Sequence, residues 1–490
     1  MSRFRQLLLF LAIFLLISQY YPAPVTASQL NQVKYVILLI GDGYGANLLE
    51  AANRYTNTIP AYQSWRNYWV TTYPEGGSYD PSQAWENFMY VNQGYTDSAA
   101  AATAIFTGVK TLNGRINVSA DGSLRLTTLA EEAHIAGLSA GAVTSVPISH
   151  ATPGAWLSHN DNRSNGYAIA DEALWGNPNT TGTPMTDSHY GGSHGITNPP
   201  LEVLIGGGYY LNDFYVNAAI RDRLILENGQ PTFVERQSGV DGGTNLLDIA
   251  SNSQVTRLAG LFGGSSGDLE YRLADGSGAN PENPTLAQMA EAALKVLERD
   301  PDGFVLMIEG GAIDHAAHGN NLDQALGEVI DFNHAIQTVI EWVEDPGNDS
   351  TWNNTLVIVT ADHETGYLTA SPGAFPNQPL GAVTPYTLTL EKTQQDNGRR
   401  ASWVDNNSDN LIDDGEPVYW AWNSSNHTNS LVRLFTKGLG ETEFFRYAQN
   451  WDPVRGLYLD NTDIYKVVHT VLSEFTPLVI YTYSLPVVFR

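Results

Sequence analysis

Three apolar runs and a weaker fourth stand out along the chain: residues 36–40, 304–308 and 356–360, with 138–146 the weaker. None alternates with polar positions, so each predicts a strand covered on both faces, as in a parallel sheet. Between them lie stretches with helical spacing, 128–135, 285–299 and 323–343. Strand and helix in alternation predict an α/β fold around a central, largely parallel sheet. Two stretches break the pattern. Residues 155–280 are rich in Gly, Asn and Ser, and residues 371–426 in Pro, Asn and Asp. Both are expected as insertions or loops decorating the sheet edge. Residues 478–489 are apolar and predict a packed edge strand.

The four strand runs share a feature. Each ends in residues able to bind a ligand: Asp42 after the first, His150 and Thr152 after the second, Glu309 after the third, Asp362 and His363 after the fourth. Carboxyl ends of strands are where open α/β sheets place their sites.

The N-terminus reads as a leader. Arg3 and Arg5 precede eleven apolar residues, Leu7 to Ile17, and Val25-Thr26-Ala27 offers small residues for cleavage. Residues 1–27 are therefore expected to be a signal peptide, and residues 28–490 a single exported catalytic domain, periplasmic or extracellular. No later stretch approaches the roughly 20 apolar residues of a membrane span. With 490 residues and 42% hydrophobic content, a large core is available.

Composition narrows the chemistry. There is no cysteine, so metal ligands must come from His, Asp and Glu, and no thiolate can be the nucleophile. Against 25 basic residues stand 52 acidic ones, a net charge of −27. Such a surface repels nucleic acid. A phosphate site here must be made locally cationic, which bound divalent metals would do.

Asp97 and Ser98 open the run TDSAAAATAIFTGVK, whose alanines favour a helix. Read alone, the pair is a helix cap. Beside metal ligands, a serine at a helix N-terminus becomes a nucleophile aimed at a phosphate held by the helix amides. In EGGAIDHAAHGN, Asp314 and His318 lie four apart and share one helical face, with Glu309 five residues earlier. ADHETG sets Asp362 beside His363, and LIGDG follows Asp42 with a glycine that permits close approach. His427, in SSNHTNS, is isolated.

With LIGDG, TDSAAAATAIFTGVK, SHATPGA, EGGAIDHAAH, TADHETG and NHT in this order, the chain resembles the alkaline phosphatase family. The resemblance implies a sheet sandwiched between helices, a homodimer, and a site with two zinc ions and one magnesium. It implies Ser98 as nucleophile forming a phosphoserine, and Arg163 as the clamp on phosphate oxygens. It implies Asp314, His318 and His427 as ligands of one zinc, and Asp42, Asp362 and His363 of the other. Asp42, Thr152 and Glu309 would serve the magnesium. His150 and His315 match the histidine pair of mammalian-type members, where others carry Asp and Lys. This pair implies faster turnover, weaker phosphate retention and magnesium activation. The implied substrates are small phosphate monoesters. A phosphodiesterase of the same superfamily, or an inactive secreted metal-binding surface protein, are the alternatives.

A further pattern lies in DNNSDNLIDDGE. Asp405, Asn407, Asp409, Asp413 and Glu416 take positions 1, 3, 5, 9 and 12 of a calcium loop, while Asn410 replaces the turn glycine. Calcium binding and a solvated acidic loop are both open readings.

Overall fold

The computed structural model describes residues 33–176, 199–210, 215–226, 231–265 and 267–474. The leader expected over residues 1–27 and the strand expected over 478–489 lie outside the described residues.

The central sheet has eleven strands. In chain order they are β1 (Tyr35–Gly41), β2 (Arg66–Thr71), β3 (Ser139–Pro147), β4 (Val203–Gly207), β5 (Thr232–Glu235), β6 (Leu258–Phe262), β7 (Phe304–Gly310), β8 (Thr355–Ala361), β9 (Val432–Gly438), β10 (Asn450–Asp452) and β11 (Gly456–Asp460). Their spatial order is β10-β11-β2-β9-β8-β1-β7-β3-β4-β6-β5. From β8 to β5 every neighbouring pair is parallel. β9 runs antiparallel to both β8 and β2 and turns the sheet into a mixed one. The four runs singled out in the sequence became β1, β3, β7 and β8. β1, β7 and β8 are buried at every residue, as a strand covered on both faces must be.

The helices that matter here are α1 (Ser98–Thr107), α2 (Leu129–Ala136), α3 (Leu286–Leu297), α4 (Ala312–His318), α5 (Leu322–Glu344) and α6 (Thr462–Glu474). Their starts are written locally. Thr128 and Glu131 form a capping box at α2, Thr285 and Gln288 another at α3, and Asn321 caps α5. α3 packs on β3 and β4, and α5 on β1 and β7.

The stretch 155–280 departs from expectation. Rather than loops alone, it supplies β4, β5 and β6, three parallel strands of the main sheet. Each is only four or five residues long, and glycines dilute two of them (VLIGG, LAGLF), so no long apolar run announced them. The stretch 371–426 holds most of a separate four-stranded antiparallel sheet, built from Leu368–Thr369, Glu391–Thr393, Arg400–Trp403 and Val418–Trp422. Its Trp420 and Trp422 both donate to Oε1 of Glu391, which begins the sheet's own edge strand.

Candidate active site

Register brings the first ligands together. Gly41 pairs with Gly310 on one side and Ala361 on the other. Asp42 and Asp362 therefore leave adjacent strands at the same level, and Glu309 sits opposite Thr144 on β3. All three carboxylates are fully buried. The chain turns away at Gly43 with φ +67°, and the Gly43 N–H donates to Asp362 Oδ1 at 3.1 Å. A Cβ at this glycine would meet Asp314 Oδ1 at 2.8 Å, so backbone conformation and space both call for glycine.

Ser98 begins α1, whose ten residues are all buried. A helix with no polar face needs small side chains to fit among its neighbours, which the alanines provide. Asp97 caps it by accepting from the Ala100 N–H at 2.9 Å. Ser98 Oγ lies 3.4 Å from His363 Nε2. Arg163 is held to the same corner by Asp97 Oδ2 at 3.0 Å, with His150 Nε2 3.2 Å from its other terminal nitrogen.

Asp314 and His318 share one face of α4, with His318 Nε2 3.2 Å from Asp314 Oδ2. His427 arrives by another route. A two-stranded ladder pairs it with Thr365, so its imidazole stacks on His363 with centroids 3.6 Å apart. His427 Nδ1 donates to the Thr96 carbonyl at 2.8 Å and His318 Nδ1 to the Ser425 carbonyl at 2.6 Å. Those anchors fix both rings with Nε2 turned inward, the two Nε2 atoms 3.1 Å apart. Thr365 Oγ1 donates to Asp314 Oδ1 at 2.5 Å, and Thr144 Oγ1 to Glu309 Oε2.

The charges here do not balance among themselves. Burial, with Asp362, Asp314 and Glu309 nearby, pushes the Asp42 carboxyl well above its usual range. Asp362 is raised for the same reasons, and burial lifts Glu309 to about 7. Burial and the neighbouring His427 push His363 well down. Both Asp42 oxygens, Asp362 Oδ2, Glu309 Oε1 and Thr152 Oγ1 are buried without a hydrogen-bond partner. Leaving such oxygens bare costs several kcal/mol each. A divalent cation is the group that satisfies convergent carboxylate oxygens and imidazole nitrogens. Three sets have donor atoms close enough to share an ion: Asp314, His363 and His427; Asp42, Asp362 and His363; Asp42, His150 and Glu309. His318 adjoins the first set through Asp314 and His427, and Thr152 presents its bare hydroxyl among the strand-end residues. The residues present fit metal ions.

His150 and His315 meet edge to face, centroids 5.4 Å apart. Burial and Arg163 push His150 well down. His315 is opposite in sense: burial would lower it, but Asp268 Oδ2 at 2.8 Å from its Nδ1 raises it to about 9. An open cleft of about 680 Å³ joins these groups, lined by Ser98, Arg163, His150, His315, His318 and His427 among others.

The structure thus gathers Ser98, Arg163 and the residues named in the sequence for zinc and magnesium. It adds partners the sequence reading passed over. Thr144, Thr365 and Asp268 fix Glu309, Asp314 and His315, and Asp97 fixes Arg163. Thr365 was visible inside ADHETG-type spacing, three residues past Asp362. Asp268 carried no signal in its Gly- and Ser-rich stretch. The loop proposed for calcium stands apart, between Arg400–Trp403 and Val418–Trp422. Its side chains satisfy one another: Asn407 donates to Asp409 and Asp413, Glu416 accepts from the Asn406 and Asp413 N–H groups, and Asp405 pairs with Lys392 at 2.5 Å.

Residues 33–473 match the alkaline phosphatase family. The chain belongs to that family. Alkaline phosphatase 3 of Bacillus subtilis is 32% identical over 69% of this chain and 62% of its own length, so the match spans about three-fifths of that relative. The rat tissue-nonspecific alkaline phosphatase is 29% identical over 83% of this chain and 80% of its own. Among solved structures, the alkaline phosphatase of the Antarctic bacterium TAB5 superposes with a TM-score of 0.58 at 23% identity, covering 90% of this chain and 99% of that one. A histidine-to-glutamate variant of the TAB5 enzyme has Mg bound in its M3 site. Among the described residues of this family member, no helix is long and apolar enough to cross a membrane.

Proposed function

We propose that this alkaline phosphatase family member hydrolyses phosphate monoesters through a phosphoserine at Ser98. The observation that carries the reading is Ser98 Oγ at the end of a buried helix, beside His363, with bare buried oxygens of Asp42, Asp362 and Glu309 close by and Arg163 across the cleft.

Asp314, His318 and His427 would hold one zinc, Asp42, Asp362 and His363 a second, and Asp42, Thr152 and Glu309 a magnesium. When bound, such ions lower the pKa of coordinated hydroxyl groups and neutralise charge on the transferring phosphoryl group. The chain's own residues do the rest. Arg163, aligned by Asp97, binds two non-bridging phosphate oxygens with parallel N–H donors. The first-turn amides of α1 meet the phosphate at the positive end of the helix. Ser98 Oγ attacks phosphorus as the ester oxygen leaves on the opposite side, forming the phosphoseryl ester. Water then attacks phosphorus, the P–Oγ bond breaks, and Ser98 and inorganic phosphate are regenerated.

His150 stands where its imidazole joins Asp42 and Glu309, so metal preference at the third set is part of this proposal. The magnesium named for a TAB5 variant supports testing it here. Export by the leader and assembly as a homodimer belong to the same proposal, supported by the leader pattern and by the family.

The test is p-nitrophenyl phosphate hydrolysis from about pH 6 to about pH 11, with and without EDTA, then with zinc and magnesium restored. Alkaline activity lost to EDTA and recovered only with both metals is the expected result. Absent monoester hydrolysis in fully metallated protein would overturn it. Ser98→Ala should abolish turnover while metal content, measured by mass spectrometry, stays intact.

A further inference from the structure

Away from the cleft, two arginines converge on one tryptophan. Trp69 of β2 pairs across the ladder with Arg433 of β9, whose guanidinium carbon lies 4.4 Å from the indole centroid. Arg455, between β10 and β11, also lies 4.4 Å from that ring. Neither arginine forms an ion pair with a described residue. Arg433 donates to Asn67 Oδ1 at 3.2 Å and Arg455 to the Pro376 carbonyl at 2.7 Å. Each guanidinium has five N–H donors, so most remain unspent.

The nearby carboxylates are already committed. Asp452 accepts from Tyr79, Trp85 and the Val454 and Arg455 N–H groups, and Glu50 pairs with Arg54 at 2.6 Å. Burial, and the charge of Arg455, bring Arg433 down to about 10. Two half-buried like charges held together in a chain of net charge −27 form a local cationic island. They border an open pocket of about 280 Å³, lined also by Glu50, which is paired with Arg54, and by the exposed amides of Asn377 and Gln378. The cavity shares no lining residue with the catalytic cleft.

We propose that this pocket is a second anion site, which binds a small doubly charged oxyanion, a phosphate or a dicarboxylate, against the Arg433 and Arg455 side chains that line it. Planar guanidiniums meet such groups through paired N–H donors, and Trp69 holds both forks in place. Asn377 and Gln378 supply neutral donors at the mouth.

The experiment uses the full, metal-loaded chain. Crystals soaked in selenate should give an anomalous peak in the pocket lined by Arg433 and Arg455 as well as any in the cleft; a peak confined to the cleft overturns the proposal. Calorimetric titrations with inorganic phosphate and with succinate tell the two sources apart. An event lost in Arg433→Gln/Arg455→Gln, weakened about tenfold or more, supports the site and names its ligand class. Titrations identical in wild type and the double variant for both anions overturn it. The double variant should retain p-nitrophenyl phosphate hydrolysis, which verifies its fold. Failure of the phosphatase reading would appear in hydrolysis alone and leave the soak and titrations informative.

Discussion

Asp97 and Arg163 are bonded at 3.0 Å through Asp97 Oδ2, while the other oxygen of the same carboxylate caps the helix that begins at Ser98. One side chain therefore sets both the nucleophile's helix and the clamp. Asp97→Asn keeps an oxygen for the cap but loses the charged contact to Arg163. Inhibition by inorganic phosphate should weaken about tenfold, with a thermal midpoint within a few degrees of wild type. Unchanged phosphate inhibition would show that Arg163 is aligned without Asp97.

Gly43 offers a backbone test of the same site. Gly43→Ala forces a methyl group against Asp314 Oδ1 in a backbone conformation unfavourable to alanine. Displacement of Asp314 should lower kcat/KM by about 10²-fold and reduce bound metal, with far-ultraviolet circular dichroism unchanged. Full activity in this variant would mean that the turn relaxes without moving Asp314.

The histidine pair at 150 and 315 predicts turnover behaviour. Replacing both, as His150→Asp and His315→Lys, puts a carboxylate beside Asp42 and Glu309 and an obligate cation beside the phosphate. Inorganic phosphate should then inhibit at lower concentration, about tenfold, and turnover should slow. Phosphate inhibition at the wild-type concentration would count against a role for the pair in product retention.

His159 gives a pH dependence to stability. It is fully buried, which alone would depress it, but Glu172 at 2.9 Å and Glu131 raise it to about 9. Since the unfolded value is near 6.5, the folded state binds the proton more tightly. The stabilisation is complete below about pH 6.5, worth up to about 3 kcal/mol, and disappears as pH rises through 9. The gap in thermal midpoint between wild type and His159→Gln should therefore narrow from neutral to alkaline pH. A gap that is constant with pH would mean His159 is neutral throughout.

How much of this was legible beforehand follows from burial and pairing distance. Strands β1, β7 and β8 are buried on both faces, so their apolar runs were plain, and each site residue at their ends was placed by position alone. β4, β5 and β6 are short and glycine-diluted, and only pairing with β3 and with each other makes them strands. His427 shows the same limit in the site. Only the place of NHT in the family's motif order marks it, and it reaches the metal candidates because its short strand pairs with Thr365. The acidic run at 405–416 has nearly calcium-loop spacing, and Lys392, from a neighbouring strand, pairs with its Asp405. Spacing does not reveal which neighbour arrives from elsewhere.

The His427–Thr365 ladder also orders events in time. Asp42 is synthesised early, yet the constellation stays incomplete until residue 427 has emerged and its strand has closed on one formed some sixty residues before. A chain caught part-way through synthesis carries Ser98 but not the last imidazole, so the donor set of Asp314, His363 and His427 is not yet assembled.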